Sequence, residues 1–138
     1  MSFMVKALVD KNSPPRASRD IFHIVDHKTE ASATLGEFEQ LVLLALVRLE
    51  AEAYGATIRR DIEARTARRL SISGVYTTLE RLEHKGMVRS WIGEPTAERG
   101  GRRRKHFAMT PAGARALKSA YRDYTEMAAG LERRLKRL

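Results

Sequence analysis

Seven consecutive positions, Arg99-Gly100-Gly101-Arg102-Arg103-Arg104-Lys105, carry five cations. Arginine grips a phosphate with two parallel hydrogen bonds and also enters narrow minor grooves. Glycines let such a backbone lie close against a surface. A cationic run is often only a solvated loop, so its meaning depends on what precedes it.

What precedes it is a stretch with a second kind of chemistry, Ser71-Ile72-Ser73-Gly74-Val75-Tyr76-Thr77-Thr78-Leu79-Glu80-Arg81-Leu82-Glu83-His84-Lys85. At 100° per residue, Ile72, Val75, Tyr76, Leu79 and Leu82 fall on one side of a helix. Ser73, Gly74, Thr77, Arg81, His84 and Lys85 fall on the other, with Glu80 and Glu83 at the margin. The outward face is small and polar at its start and basic further on. Small side chains allow a helix N-terminus to approach bases and phosphates closely, and its free amides favour anions. Serine and threonine hydroxyls and Arg81 can bond to base edges or phosphates.

A third cluster, His23, Asp26 and His27, has the i, i+4 histidine spacing of two metal ligands on a helix. No third ligand completes it. Neither a phosphate-cradling glycine loop nor a nucleophile–base pair is present, so the sequence is read as non-enzymatic and calls for no cofactor or metal.

The elements that must position these groups can be placed. Thr34 followed by Glu37 matches a capping box that opens a helix over about Leu35–Glu50. Its centre, Leu41-Val42-Leu43-Leu44-Ala45-Leu46-Val47, is apolar on every face and needs cover all round. Tyr54-Gly55 breaks the pattern, and a second helix runs to about Ala67. After the short linker Arg68-Arg69-Leu70, Ser71 is an N-cap for a third helix over 72–85, with Gly86 as its stop. Two helices so joined read as a helix-turn-helix. Met87–Ile92 and Lys105–Met109 read as strands, with Trp91 a core residue of the first. The basic run is then the tip of the hairpin between them. Thr110-Pro111 opens a last helix reaching nearly to Leu138. Leu117, Tyr121, Tyr124, Ala128, Leu131, Leu135 and Leu138 recur at four- and three-residue steps along it, a seam for pairing with another helix. Phe38, Tyr121 and Tyr124 are read as packing residues in preference to a ligand pocket.

Composition fits this plan. The chain has 138 residues, no cysteine, and a formal net charge of +9. That excess favours an anionic partner. It lies outside the N-terminal region: residues 1–33 carry a net +1, and residues 34–109 and 110–138 carry +4 each. No apolar run spans a bilayer and no signal peptide is read at the start, so no membrane partner and a cytoplasmic location are expected. Residues 1–33, with the breaker cluster Asn12-Ser13-Pro14-Pro15, are expected to be a mobile extension.

These stretches together resemble the PadR family of bacterial transcriptional regulators over about residues 35–115. The resemblance is carried by Leu35-Gly36-Glu37-Phe38-Glu39-Gln40-Leu41, by Tyr54-Gly55, by Ser73–Glu83, by Gly86-Met87-Val88, by Gly93–Arg104 and by Thr110-Pro111-Ala112-Gly113. It implies a mainly α fold with a two-stranded β wing: a winged helix-turn-helix over 34–109 plus a C-terminal dimerisation helix over 110–138. It further implies a homodimer that binds double-stranded DNA at a near-palindromic operator and usually represses. The expected DNA-binding residues are Tyr54, Gly55, Ser71, Ser73, Gly74, Tyr76, Thr77, Thr78 and Arg81, with Arg99, Arg102, Arg103, Arg104 and Lys105 at the wing. Repression needs a release signal, so a small-molecule effector is compatible with the reading. The rival reading is a ligand-sensing or nucleic-acid-binding scaffold without a specific operator.

Overall fold

A computed structural model describes residues 34–94 and 103–138 of the chain. The expectations placed on residues 1–33, including His23, Asp26 and His27, and on Arg99 and Arg102 lie outside the described residues. The elements run α1 (Glu37–Leu49), a 3-10 turn (Glu50–Glu52), α2 (Gly55–Arg65), α3 (Ile72–His84), β1 (Val88–Ile92), β2 (Lys105–Met109), α4 (Pro111–Ala128) and α5 (Glu132–Lys136). This is the mainly α winged-helix plan with a two-stranded sheet.

Local chemistry explains most of the boundaries. Helix α1 starts two residues later than the Thr34–Glu37 box would have it. Gly36 is its N-cap, and the Glu39 carboxylate accepts from the Gly36 amide at 2.8 Å. Either glutamate could have closed the first turn, and the closure uses a backbone amide, so no hydroxyl is required at the cap. Helix α2 opens the same way, with Thr57 Oγ1 accepting from the Tyr54 amide at 3.1 Å. Helix α3 opens on Ser71, whose Oγ accepts from the Gly74 amide at 3.0 Å. It closes before Gly86, where φ is +80°, a left-handed conformation suited to glycine.

The core lies between the three helices and the sheet. Val42, Leu43, Ile58, Val75, Leu79, Leu82 and Val88 are fully buried, each worth about 1.5–3 kcal/mol on removal from water. Strands β1 and β2 are antiparallel, with Val88 opposite Met109, Ser90 opposite Phe107 and Ile92 opposite Lys105. The chain just before α2 joins the other side of β2: the Phe107 amide donates to the Ala53 carbonyl at 3.0 Å, and Tyr54 bridges His106. The wing is therefore anchored to the start of α2.

Two expectations are corrected. Trp91 is not a core residue of β1; it is 41% exposed. Strand parity places it with Arg89 on the face opposite buried Val88. The tail is not one helix to Leu138. Helix α4 ends at Ala128, Gly130 adopts φ +83°, and α5 follows as a separate short helix. The left-handed glycine breaks the seam between Ala128 and Leu131. No described helix is long and apolar enough to cross a membrane.

Candidate nucleic-acid interface

Burial divides α3 into two faces. Val75, Thr78, Leu79 and Leu82 are buried, whereas Ser71, Ser73, Gly74, Thr77, Glu80, Arg81 and His84 are exposed. Four side chains depart from expectation. Ile72, expected inside, is 40% exposed. Thr78, expected at the interface, is buried, and its hydroxyl donates to the Gly74 carbonyl at 3.0 Å. That back-bond removes it from the outward face. Glu80, expected at the margin, is exposed on the outward face. Lys85, expected on the same face, turns inward and donates to Glu39 at 2.8 Å.

Tyr54, Gly55 and Tyr76 come together. A Cβ on Gly55 would lie 2.5 Å from the Tyr76 ring, so only glycine lets the start of α2 pack against that ring without a shift. The Tyr76 ring lies 6.2 Å from Phe107 of β2. Tyr76 is half-buried, and its contacts place it as the joint between α2, α3 and the wing. Tyr54 meets His106 edge-on at 5.6 Å, and the Arg104 guanidinium sits 4.4 Å from its ring centroid. Such a cation–π contact holds a long side chain at an exposed site at a cost of about 0.5–1 kcal/mol if lost.

The wing presents further cations. Arg103 and Lys105 are exposed at the base of the wing tip. The ladder extends beyond the strands through the Gly93 amide, which donates to the Arg104 carbonyl at 2.8 Å. On the outward face of the sheet, Arg89 lies 4.8 Å from the centroid of the Trp91 ring, and Trp91 stacks on His106 at 5.6 Å. Sequence reading did not include Arg89. The alternation from Val88 to Ile92 was the available signal, since it puts Arg89 and Trp91 on one face.

Several neighbouring acids are neutralised within the fold. Glu37 pairs with Arg68, Asp61 with both Arg48 and Arg65, and Glu39 with Lys85. Glu63 accepts from the Leu70 amide and Glu83 from the Ser90 hydroxyl, each at 2.8 Å. No group of acids and histidines able to hold a metal occurs among the described residues. The arrangement therefore offers a helix face of hydroxyls, Arg81 and His84, with the single acid Glu80, beside a wing that carries cations, which suits contact with a polyanion.

The Tyr121 and Tyr124 side chains of α4 are 66% and 69% exposed, with Met127, Leu135 and Leu138 also exposed beyond them. Leu117 alone of the expected seam is buried. Within one chain these tyrosines are not packing residues, contrary to expectation.

Residues 43–119 match the family model described as "Transcriptional regulator PadR-like family". Solved structures share the fold. A PadR family transcription regulator from hypervirulent Clostridium difficile matches with a TM-score of 0.60 at 22% identity, covering 72% of this chain and 99% of its own. A PadR family transcriptional regulator from Eggerthella lenta matches with a TM-score of 0.54 at 22% identity, covering 88% and 97%. A transcriptional regulator from Clostridium thermocellum matches with a TM-score of 0.55 at 22% identity, covering 70% and 88%. No curated protein matches the chain.

Proposed function

The chain belongs to the PadR-like family of transcriptional regulators, and on that premise we propose that it is a cytoplasmic repressor that binds a near-palindromic DNA operator as a homodimer. The observation that carries this reading is the pairing of an exposed Ser73–Thr77–Arg81 face on α3 with exposed Arg103 and Lys105 on the wing. Helix α3 enters the major groove, where Arg81 and the hydroxyls choose the site. The wing cations contact phosphate and supply sequence-independent affinity.

The dimer is supported by apolar surface that one chain leaves uncovered. Leu44 and Val47 of α1 are exposed, as are Tyr121, Tyr124, Met127, Leu131, Leu135 and Leu138 of the tail. Soluble monomers rarely expose so many large apolar side chains on so few elements. A second copy covers them and holds two α3 helices about 34 Å apart, one turn of DNA. Release of the operator is assigned to a small molecule held between the two copies, where Tyr121 and Tyr124 of the seam offer aromatic surface.

The test is a gel-shift titration of the purified chain against operator and random duplexes over a range of salt. Operator affinity should fall steeply with salt, because several phosphates are neutralised per dimer.

A further inference from the structure

The segment before α3 reads Arg68-Arg69-Leu70-Ser71-Ile72, and the DNA reading leaves the two arginines without a role. They stand three and two residues ahead of a serine. Arg68, Arg69 and Ser71 are exposed and lie in a stretch with no regular secondary structure. Ser71 is extended, with φ −86° and ψ 148°. An open groove lined by Glu63, Thr66, Ala67, Arg68 and Arg69 flanks the stretch. Ile72, which follows, shows 40% of its surface although the wheel places it inside. An extended, exposed serine with paired arginines behind it and an apolar side chain ahead suits a kinase groove that has carboxylates for the arginines and an apolar pocket beyond. Guanidinium–carboxylate pairing is bidentate and geometrically selective.

We propose that Ser71 is a phosphoacceptor for an arginine-directed serine/threonine protein kinase, and that its phosphorylation switches off DNA binding. The switching half rests on the DNA-binding reading above; the acceptor half does not. Ser71 Oγ attacks the γ-phosphorus of ATP, and an Oγ–P bond forms. The bond from that phosphorus to the bridging oxygen breaks, ADP leaves, and the hydroxyl proton passes to the kinase's base. Arg68 must first leave Glu37 and the Phe38 ring, whose centroid lies 5.8 Å from its guanidinium, but both contacts are at the surface, with Glu37 69% exposed, so little opposes the exchange.

The consequence follows from where Ser71 sits. Its Oγ already accepts from the Gly74 amide and lies 3.4 Å from the Ser73 hydroxyl. A phosphate there keeps the cap and adds acceptors to a helix N-terminus that favours negative charge, so the fold is retained. The same group places about −1.5 to −2 charges where α3 has to meet DNA phosphates. Stability and binding are thus expected to move apart.

The full chain is incubated with the catalytic subunit of an arginine-directed kinase and MgATP, then read by intact mass, fragment mapping and gel shift. The expected result is one phosphate on Ser71, an unchanged or higher melting temperature, and operator affinity reduced by about tenfold or more. Arg68→Gln with Arg69→Gln should slow incorporation by about tenfold or more. Ser71→Asn, which retains an N-cap acceptor, should take up none. No incorporation, incorporation elsewhere, or phosphorylated Ser71 with unchanged affinity overturns the proposal. If the unmodified chain binds no DNA selectively, the operator reading fails separately, while site and arginine dependence still judge the acceptor.

Discussion

The Lys85 Nζ donates to Glu39 Oε1 at 2.8 Å, joining the C-terminal end of α3 to the first turn of α1 across 46 residues of sequence. The same carboxylate oxygen caps α1 through the Gly36 amide. Burial raises the Glu39 pKa, but hydrogen bonds from Lys85 and Gly36 and the charges of Lys85 and Arg81 outweigh it, leaving the group below its ordinary value of 4.5. The interface helix is thus fixed at its far end by an ion pair between half-buried Lys85 and buried Glu39.

A depressed carboxylate stabilises the fold above its unfolded pKa and loses that contribution as pH falls through the folded value. Glu39→Gln is therefore expected to cost about 2 kcal/mol at neutral pH. Melting temperatures of the two proteins should converge as pH falls below 4.5. A gap that persists undiminished at lower pH would show that the charge of Glu39 is not the cause.

Gly113 occupies the first turn of α4, where a Cβ would overlap the Met87 carbonyl oxygen. Thr110 holds this corner by accepting from the Gly113 amide at 3.1 Å and donating to the Gly86 carbonyl at 2.7 Å. Backbone cannot yield as a side-chain tip can, so Gly113→Ala should cost about 3 kcal/mol by chemical denaturation. A Cβ at Gly55 comes nearest to the Tyr76 side chain, which can shift, so Gly55→Ala should cost less.

Arg81 is the one exposed arginine of α3. Replacing it with alanine should remove about 1–3 kcal/mol of discrimination between operator and random DNA, with binding to random DNA changed much less. Equal losses on both duplexes would place Arg81 on phosphate.

Arg103→Gln with Lys105→Gln should weaken operator and random DNA alike. The slope of log affinity against log salt should become shallower by about one for each phosphate contact removed. An unchanged slope would take these two side chains off the backbone.

Leu131→Glu and Tyr121→Glu each put a charge on the uncovered apolar surface. Both are expected to give monomer by sedimentation and reduced operator affinity. Tyr121→Glu is the sharper test, because Tyr121 lies on the continuous helix α4, before the break at Gly130. A dimer unaffected by either change would remove the tail from the interface.

What could be read in advance depended on how local the cause is. Ser71 as a cap, the start of α3 and the β2 strand depend on neighbours within a few residues, and they stand as expected. The start of α1 was displaced because two glutamates compete for one first turn. The break at Gly130 escaped a count of apolar spacing, which carries no information about φ. Trp91 follows strand parity to the face opposite buried Val88, which its size does not override. The inward turn of Lys85 depends on Glu39, which folding alone brings near.

Selection from a library of random DNA duplexes tests the central claim most directly. The account predicts enrichment of an inverted repeat whose half-sites are centred about 34 Å apart, with the enriched sequence losing its advantage for the Arg81→Ala protein. Binding that retains DNA through every round yet enriches no sequence would contradict it.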